Sequence, residues 1–315
     1  MILRILTRLA VLVASLAVSS VVVFAFMAVL PGSPARVALG VGASDQAVAE
    51  LEHRYGLDRP KVTQYLDWVG GLLHFDLGTS YVSQAQIAPQ VADRLQVTLW
   101  LVVTSMVLAL LIALPLGVLM AVRHRQVSGV VLSALSQVGV AVPAFLAGLL
   151  LVALFAVRLG WLPANGWTPP AEDPAMFLKQ LVLPVVSLGV VQGAVLARYV
   201  RSAVLDVMRE DYIRKARAKG LRPMRALVRH GLRNAAIPVV TVLGLQLSTL
   251  LVGAVVIERV FVIPGLGSGL LDAVGQRDLL LVQDIVMLLV AAVLVVNFVV
   301  DLLYLVIDPR LRSAR

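Results

Sequence analysis

The sequence predicts an all-α polytopic membrane protein with six transmembrane helices. Residues of the AVILMFWYC set make up 60% of the 315-residue chain, and only 14% are charged. Mean hydropathy is +0.93. Apolar runs of bilayer length recur six times along the chain. An ordinary soluble domain carries about 25% charged residues, so a globule this poor in charge could not cover its surface. A soluble enzyme, a disordered chain and a nucleic-acid module are excluded. With no cysteine, disulfide scaffolds, Cys-ligated zinc, iron–sulfur centres and thiol nucleophiles are excluded together.

A bilayer core needs about 20 apolar residues per helix. The first run, Leu9 to Leu30, follows Arg4 and Arg8 and ends at Pro31-Gly32-Ser33-Pro34. A cleaved signal peptide would have an apolar core of only about 7–15 residues, so this run predicts a retained helix. The second span is Val97 to Val122, closed by Arg123-His124-Arg125. The third is Val130 to Val157, with Pro143 and Gly148 inside, which neighbouring helices can accommodate. The fourth is Leu178 to Ala197, stopped by Arg198. The fifth is Ile237 to Ile257, and the sixth is Val282 to Ile307, closed by Asp308-Pro309-Arg310.

Six spans put both termini on one side. That side holds 18 of the 27 Lys/Arg residues: at the N-terminus, the Arg123/Arg125 turn, the Arg198–Arg233 loop and the tail. Because translocated loops resist positive charge, the basic side is expected to be cytoplasmic.

Residues 1–96 are expected to form an N-terminal span plus an ordered outer segment, and 97–315 a five-helix core with a loop over about 199–236. In the outer segment Ser44 can cap a helix through Tyr55, with Gly56 ending it in the left-handed region. Asp58 followed by Pro60 reads as a second cap, leading into Gln64–Val69. This segment is either a passive connector or a functional surface. Trp100, Trp161 and Trp167 suit the interfacial aromatic belt. Beyond span five, Pro264-Gly265-Leu266-Gly267 forces a turn. Leu270, Leu271 and Val274 follow at helical spacing, for packing or for docking.

The Arg198–Arg233 loop is the most informative stretch. Asp211 to Lys219 is rich in good helix formers, Gly220 suits a C-terminal cap, and Leu221 is the apolar residue that often closes one. Pro223 suits the first turn of a second helix. In that helix Met224, Leu227, Val228 and Leu232 share one face, and Arg222, Arg225, Arg229 and Arg233 another. The stretch therefore reads as a helix–cap–helix knob, which either docks a protein or touches anionic lipid.

No nucleotide-binding phosphate loop, H-E-x-x-H or G-x-S-x-G pattern occurs. His53, His74, His124 and His230 lie at no ligand spacing, so neither metal nor cofactor is expected. Polar groups inside spans are costly and therefore informative. Gln137, Gln192, Gln246, Ser248 and Asn297 are candidates for a translocation pathway, because amides bind a peptide backbone without demanding charge. Helix–helix hydrogen bonding is the alternative. Asp301 reads as the one acidic residue well inside a span, too near the basic end for a proton relay.

Several stretches then resemble a known family over nearly the whole chain. They are Leu30–Pro34, Tyr55-Gly56-Leu57-Asp58-Arg59-Pro60, Phe75-Asp76-Leu77-Gly78-Thr79-Ser80 and Arg158–Pro163. With them go Asp211–Leu221, Arg233–Pro238, Glu258–Phe261 with Pro264–Gly267, and Asp301–Tyr304 with Asp308–Arg310. In this order and spacing the chain resembles the B-type inner-membrane permease subunit of bacterial dipeptide/oligopeptide ABC importers.

The resemblance implies the type I ABC importer permease fold and a Glu-Ala-Ala-type coupling motif. Ala216 matches its second alanine and Gly220 its glycine, whereas Arg214 and Lys215 replace the glutamate and first alanine. The coupling surface it implies comprises Asp211, Tyr212, Arg214, Ala216, Ala218, Gly220, Leu221, Arg222 and Pro223. Its implied partners are a homologous second permease, two ATPase subunits, an extracytoplasmic substrate-binding protein, membrane lipid and a peptide substrate, but no nucleic acid. Nickel and glutathione importers are similar. An ion-driven secondary transporter or a membrane scaffold would be rivals from other classes.

Overall fold

The computed structural model describes residues 2–29, 33–40 and 42–307. Five helices are long and apolar enough to cross a membrane, and a sixth candidate is a bent pair. In chain order they are α1 (Ile2–Val29), α5 (Ile87–Val122), the bent pair α6 (Val127–Ala141) and α7 (Ala144–Leu151), α8 (Pro174–Met208), α11 (Leu232–Val260) and α13 (Leu279–Ile307). Short helices fill the connections: α2 (Pro34–Leu39), α3 (Asp45–Arg54), α4 (Lys61–Leu73), α9 (Asp211–Ala218), α10 (Pro223–His230) and α12 (Leu266–Gly275).

Three expectations need correction in detail. The third span is not continuous: α6 and α7 meet at 94°. Pro143 has no N–H to donate and drives Val142 into extended backbone (φ −84°, ψ 119°), so the chain turns there. A π-helical turn, Val152–Arg158, follows α7. The helix of the fourth span does not stop at Arg198 but runs on to Met208. Its 35 residues measure about 52 Å, well beyond a bilayer core. Asp58 caps nothing: α4 begins after Pro60 without a side-chain cap, and the Asp58 carboxylate instead accepts from His53 Nδ1 at 2.7 Å. The stretches Leu30–Gly32 and Asp308–Arg315 lie outside the described residues.

The chain divides into two compact units. One is built on Leu99–Ile263, the other on Leu6–Thr98 with Pro264–Val295. In the first, α8 lies against α5, α6, α7 and α11, and small residues let it approach. A Cβ on Gly189 would meet the Leu108 side chain at 2.8 Å, and one on Gly193 would meet Ile112 at 3.1 Å. The two glycines, four apart, open one face of α8 to α5. Gly148 of α7 leaves room for the Phe261 ring, which is fully buried.

In the second unit, α3 ends as its sequence predicts. Ala47 N–H donates to Ser44 Oγ at the start. At the end Gly56 takes φ +67°, and Leu57 N–H donates to Glu52 O at 2.9 Å. Ile87, Val91, Leu266 and Ile285 form one buried cluster of this unit, and Met27, Ala273 and Val282 another.

Candidate functional site

The helix–cap–helix knob forms as its residues dictate. α9 ends in a Schellman motif: Gly220 N–H donates to Arg217 O at 2.9 Å and Leu221 N–H to Ala216 O at 3.3 Å. Gly220 sits at φ +91°, where an L side chain is strained. Pro223 occupies the first turn of α10. One face of the hairpin is core. Ile213, Ala216, Ala226 and Leu227 pack with Val200, Ala203, Val204 and Val207 of α8, Ala121 of α5, and Ala235 and Val239 of α11. Ile213 and Leu227 are fully buried, each worth about 1.5–3 kcal/mol of apolar transfer. Asn234 Nδ2 donates to Tyr212 Oη at 2.9 Å and ties α9 to the start of α11.

The other face is exposed. Asp211, Tyr212, Arg214, Ala218, Gly220 and Arg222 are open, with Arg214 paired to Asp211. Ala216 is buried, and Leu221 and Pro223 are half-buried, so these three hold the hairpin's shape. The α10 face expected to be uniformly apolar is split: Leu227 points inward, while Met224 and Val228 stay exposed. Ala226 takes the second inward position. The exposed surface thus presents Met224 and Val228 among Arg222, Arg225 and Arg229. It is a small apolar patch among cations.

The in-span polar residues do not gather in one place. Gln246 Nε2 donates to Gln192 Oε1 at 3.2 Å, and both are buried, so this pair joins α8 to α11. Ser248 donates to Gly244 O within its own helix. Gln137 and Asn297 are exposed. A residue not singled out in the sequence, Ser136, donates to Ala194 O at 2.9 Å in a buried contact between α6 and α8.

A carboxylate cluster in the second unit escaped sequence reading. Asp301 is not the only acid inside a span: Asp284, in the second turn of α13, is 1% exposed. Trp68 Nε1 donates to its Oδ1 at 2.8 Å, while its Oδ2 has no partner. Ser80 Oγ donates to Asp278, which is equally buried. Burial first, then the carboxylates of Asp284 and Asp278, push the Tyr81 phenol up to about 12. Only the tertiary pairing of α13 with segments some 200 residues earlier marks these acids, and no local pattern carries it. A cavity of about 500 Å³ opens nearby, lined by Phe24, Met27, Tyr55, Trp68, Tyr81 and Gln283 among others. Among the described residues no group of three or more His, Asp or Glu side chains could hold a metal ion.

Residues 113–313 match the family described as "Binding-protein-dependent transport system inner membrane component". Residues 1–102 match its N-terminal counterpart. The glutathione transport system permease protein GsiC of Salmonella choleraesuis (strain SC-B67) is 41% identical over 308 residues, covering 98% of both chains. The protein of that name from Escherichia coli (strain K12) is 39% identical over the same length. Among solved structures, the inward-facing MetNI methionine ABC transporter aligns with a TM-score of 0.56 at 20% identity, covering 69% of this chain and 96% of that one. This last likeness concerns the fold alone.

Proposed function

Because the chain belongs to the family of binding-protein-dependent transport system inner membrane components, we propose that it is the permease half of an importer for short peptides, with glutathione among its substrates. Being a permease subunit of an ABC importer, it sits in the inner membrane as a multi-pass protein and leaves ATP hydrolysis to a partner. Glutathione is itself a tripeptide. A pathway lined by neutral amides such as Gln137 and Asn297 suits peptide backbones of varied side chain. Substrate choice then rests with a separate extracytoplasmic binding protein.

The observation that carries the coupling assignment is the α9–α10 hairpin. Its inner face is fixed by the shared core, and its outer face offers Met224 and Val228 inside a ring of arginines. Asp211, Tyr212, Arg214, Ala218, Gly220 and Arg222 belong to that outer face. Ala216, Leu221 and Pro223 act by holding it. ATP-driven closure of an ATPase dimer would push this hairpin, and α8 and α11, which it grips, would carry the displacement into the spans. The basic side, with the hairpin and both termini, faces the cytoplasm. A second, homologous permease completes the pathway.

The test is co-expression with the ATPases and second permease. The ATPase is expected to co-purify with the wild-type chain and to be lost when Met224 and Val228 are both changed to Asp. Retention of the ATPase by that variant would remove the hairpin from the interface.

A further inference from the structure

We propose that α4 is an interfacial helix, seated in the lipid leaflet that the C-terminal half of α1 crosses, with its outward stripe resting on acyl chains.

The argument begins with depth. Only 11% of the most apolar window of α1 is buried by the rest of the chain, which leaves most of that apolar surface open. Arg8 marks one end of the apolar run, which closes in the sequence at Pro31-Gly32, and the described helix reaches Val29. Those 21 steps cover about 31 Å, one hydrocarbon core. α4 grips α1 well inside that length. Tyr65 Oη and Ser20 Oγ lie 2.9 Å apart. The Phe24 ring packs edge-on to Tyr65 at 5.4 Å and stacks on Trp68 at 6.1 Å. Counting back from Val29, Phe24 lies about 7 Å and Ser20 about 13 Å inside the boundary. Amphipathic helices at an interface bury about 5–10 Å deep; the Phe24 contact lies at that level and the Ser20 contact just below it.

The helical wheel of α4 carries the second half of the argument. Tyr65, Trp68 and Leu72 face α1's side of the wheel. Val62, Leu66, Val69 and Leu73 form an adjoining stripe. Val62, Leu66 and Leu73 are 70%, 61% and 75% exposed. No charged residue falls on that stripe. Asp67 lies on the far side, paired with Arg59 at 2.8 Å. Gln64, also on that side, donates to the carbonyls of Leu57 and Arg59 and fixes how the chain enters the helix. The apolar arc therefore runs on from the α1 contact without a polar break. In water it would be a costly exposed patch; beside a lipid-facing helix it is continuous with that helix's own surface.

Phe75, two residues past the end of α4, adds a second exposed apolar group. It holds φ +59°, unusual for a bulky residue, and its ring is 88% exposed. The turn that aims it is tight: Asp76 N–H donates to Gly71 O at 2.9 Å, and a Cβ on Gly71 would meet Asp76 O at 2.5 Å. A lipid surface gives that outward ring an apolar environment.

The absence of native cysteine makes the test direct. Leu66→Cys, Leu73→Cys and Phe75→Cys would each carry a nitroxide, with Thr63→Cys on the polar flank for comparison. The full chain is reconstituted in phosphatidylethanolamine/phosphatidylglycerol vesicles, and collisions with oxygen and with a water-soluble nickel chelate are measured. The oxygen-to-nickel ratio is expected to be several-fold higher at 66, 73 and 75 than at 63, reading about 5–10 Å below the phosphates. Nickel-dominated collisions at the stripe would place it in water. Exclusion of both reagents would mean that another protein covers it. Either result overturns the proposal. Because the three labelled stripe positions are already exposed, failure of one variant to fold leaves two to decide.

Discussion

Gly220 caps α9 at the turn of the proposed coupling hairpin. A Cβ there would meet nothing within 4 Å, so a substitution brings no clash. The cost is conformational alone, about 1–2 kcal/mol for a side chain forced into the left-handed region. That is small beside the stability of a helical bundle and large for an eight-residue hairpin arm. Gly220→Val is expected to leave membrane abundance unchanged while ATPase co-purification falls several-fold. Loss of expression instead would mean that the cap stabilises the whole fold.

His53 and Asp58 offer a second residue-scale check. The hydrogen bond that His53 donates to Asp58, reinforced by the carboxylate's charge, raises His53 above its ordinary 6.5. The same bond lowers Asp58 below 3.8. With its folded value raised, His53 contributes stability that is fully present below pH 6.5 and is lost as pH rises through the folded value. Asp58 contributes above its ordinary value and loses that as pH falls through the lowered one. A histidine NMR titration is expected to place the His53 midpoint above 6.5, and Asp58→Asn should bring it back. Since both groups reach solvent, added salt should shrink the difference.

At the scale of elements, the α5–α8 contact depends on absent side chains. Gly193→Leu would drive four heavy atoms toward Ile112 and is expected to destabilise by about 1–3 kcal/mol, as overpacking does. Gly253→Ala is the matched control, because its Cβ would sit at an ordinary 3.5 Å from Leu188. Thermal unfolding in detergent should separate the two, and equal midpoints would show that α5 and α8 do not need their close approach. The Gln192–Gln246 bond should matter less. Gln246→Leu is expected to cost about 0.6 kcal/mol, below what would change the packing of α8 on α11.

Which elements were legible in the sequence follows from the range of the forces involved. Ser44, Gly56, Gly220 and Pro223 act within four or five residues, so their caps could be read directly, and each formed. Hydropathy located the spans because the bilayer imposes a length. What failed was decided by tertiary partners. Asp58 had the position of a cap but found His53. Arg198 had the look of a stop, yet α8 continued to Met208, because Val200, Ala203, Val204 and Val207 had a hairpin to bury. Pro143 was visible, but whether a proline kinks a span or breaks it depends on what packs around the bend. Asp278 and Asp284 needed α13 to meet Ser80 and Trp68, a pairing no local pattern encodes.

For the whole molecule, the type I permease architecture rests on the family match and the fold likeness. The inward-facing MetNI structure shares that fold, and relatives that align end to end are glutathione permeases. The chain belongs to a family of ABC importer permease subunits, in which ATP hydrolysis is the work of a partner, and the α9–α10 hairpin is the proposed contact with it. The orientation proposed from the basic loops has its own check: a periplasm-active reporter fused after Arg315 should stay silent and a cytoplasm-active one should work. The most direct measurement is reconstitution. The chain is placed in liposomes with its second permease, both ATPases and the binding protein, and uptake of glutathione and of a dipeptide is followed with ATP inside or absent. Uptake that requires ATP and every subunit is the expected result. Uptake by this chain alone, driven by an ion gradient with no ATPase present, would contradict it.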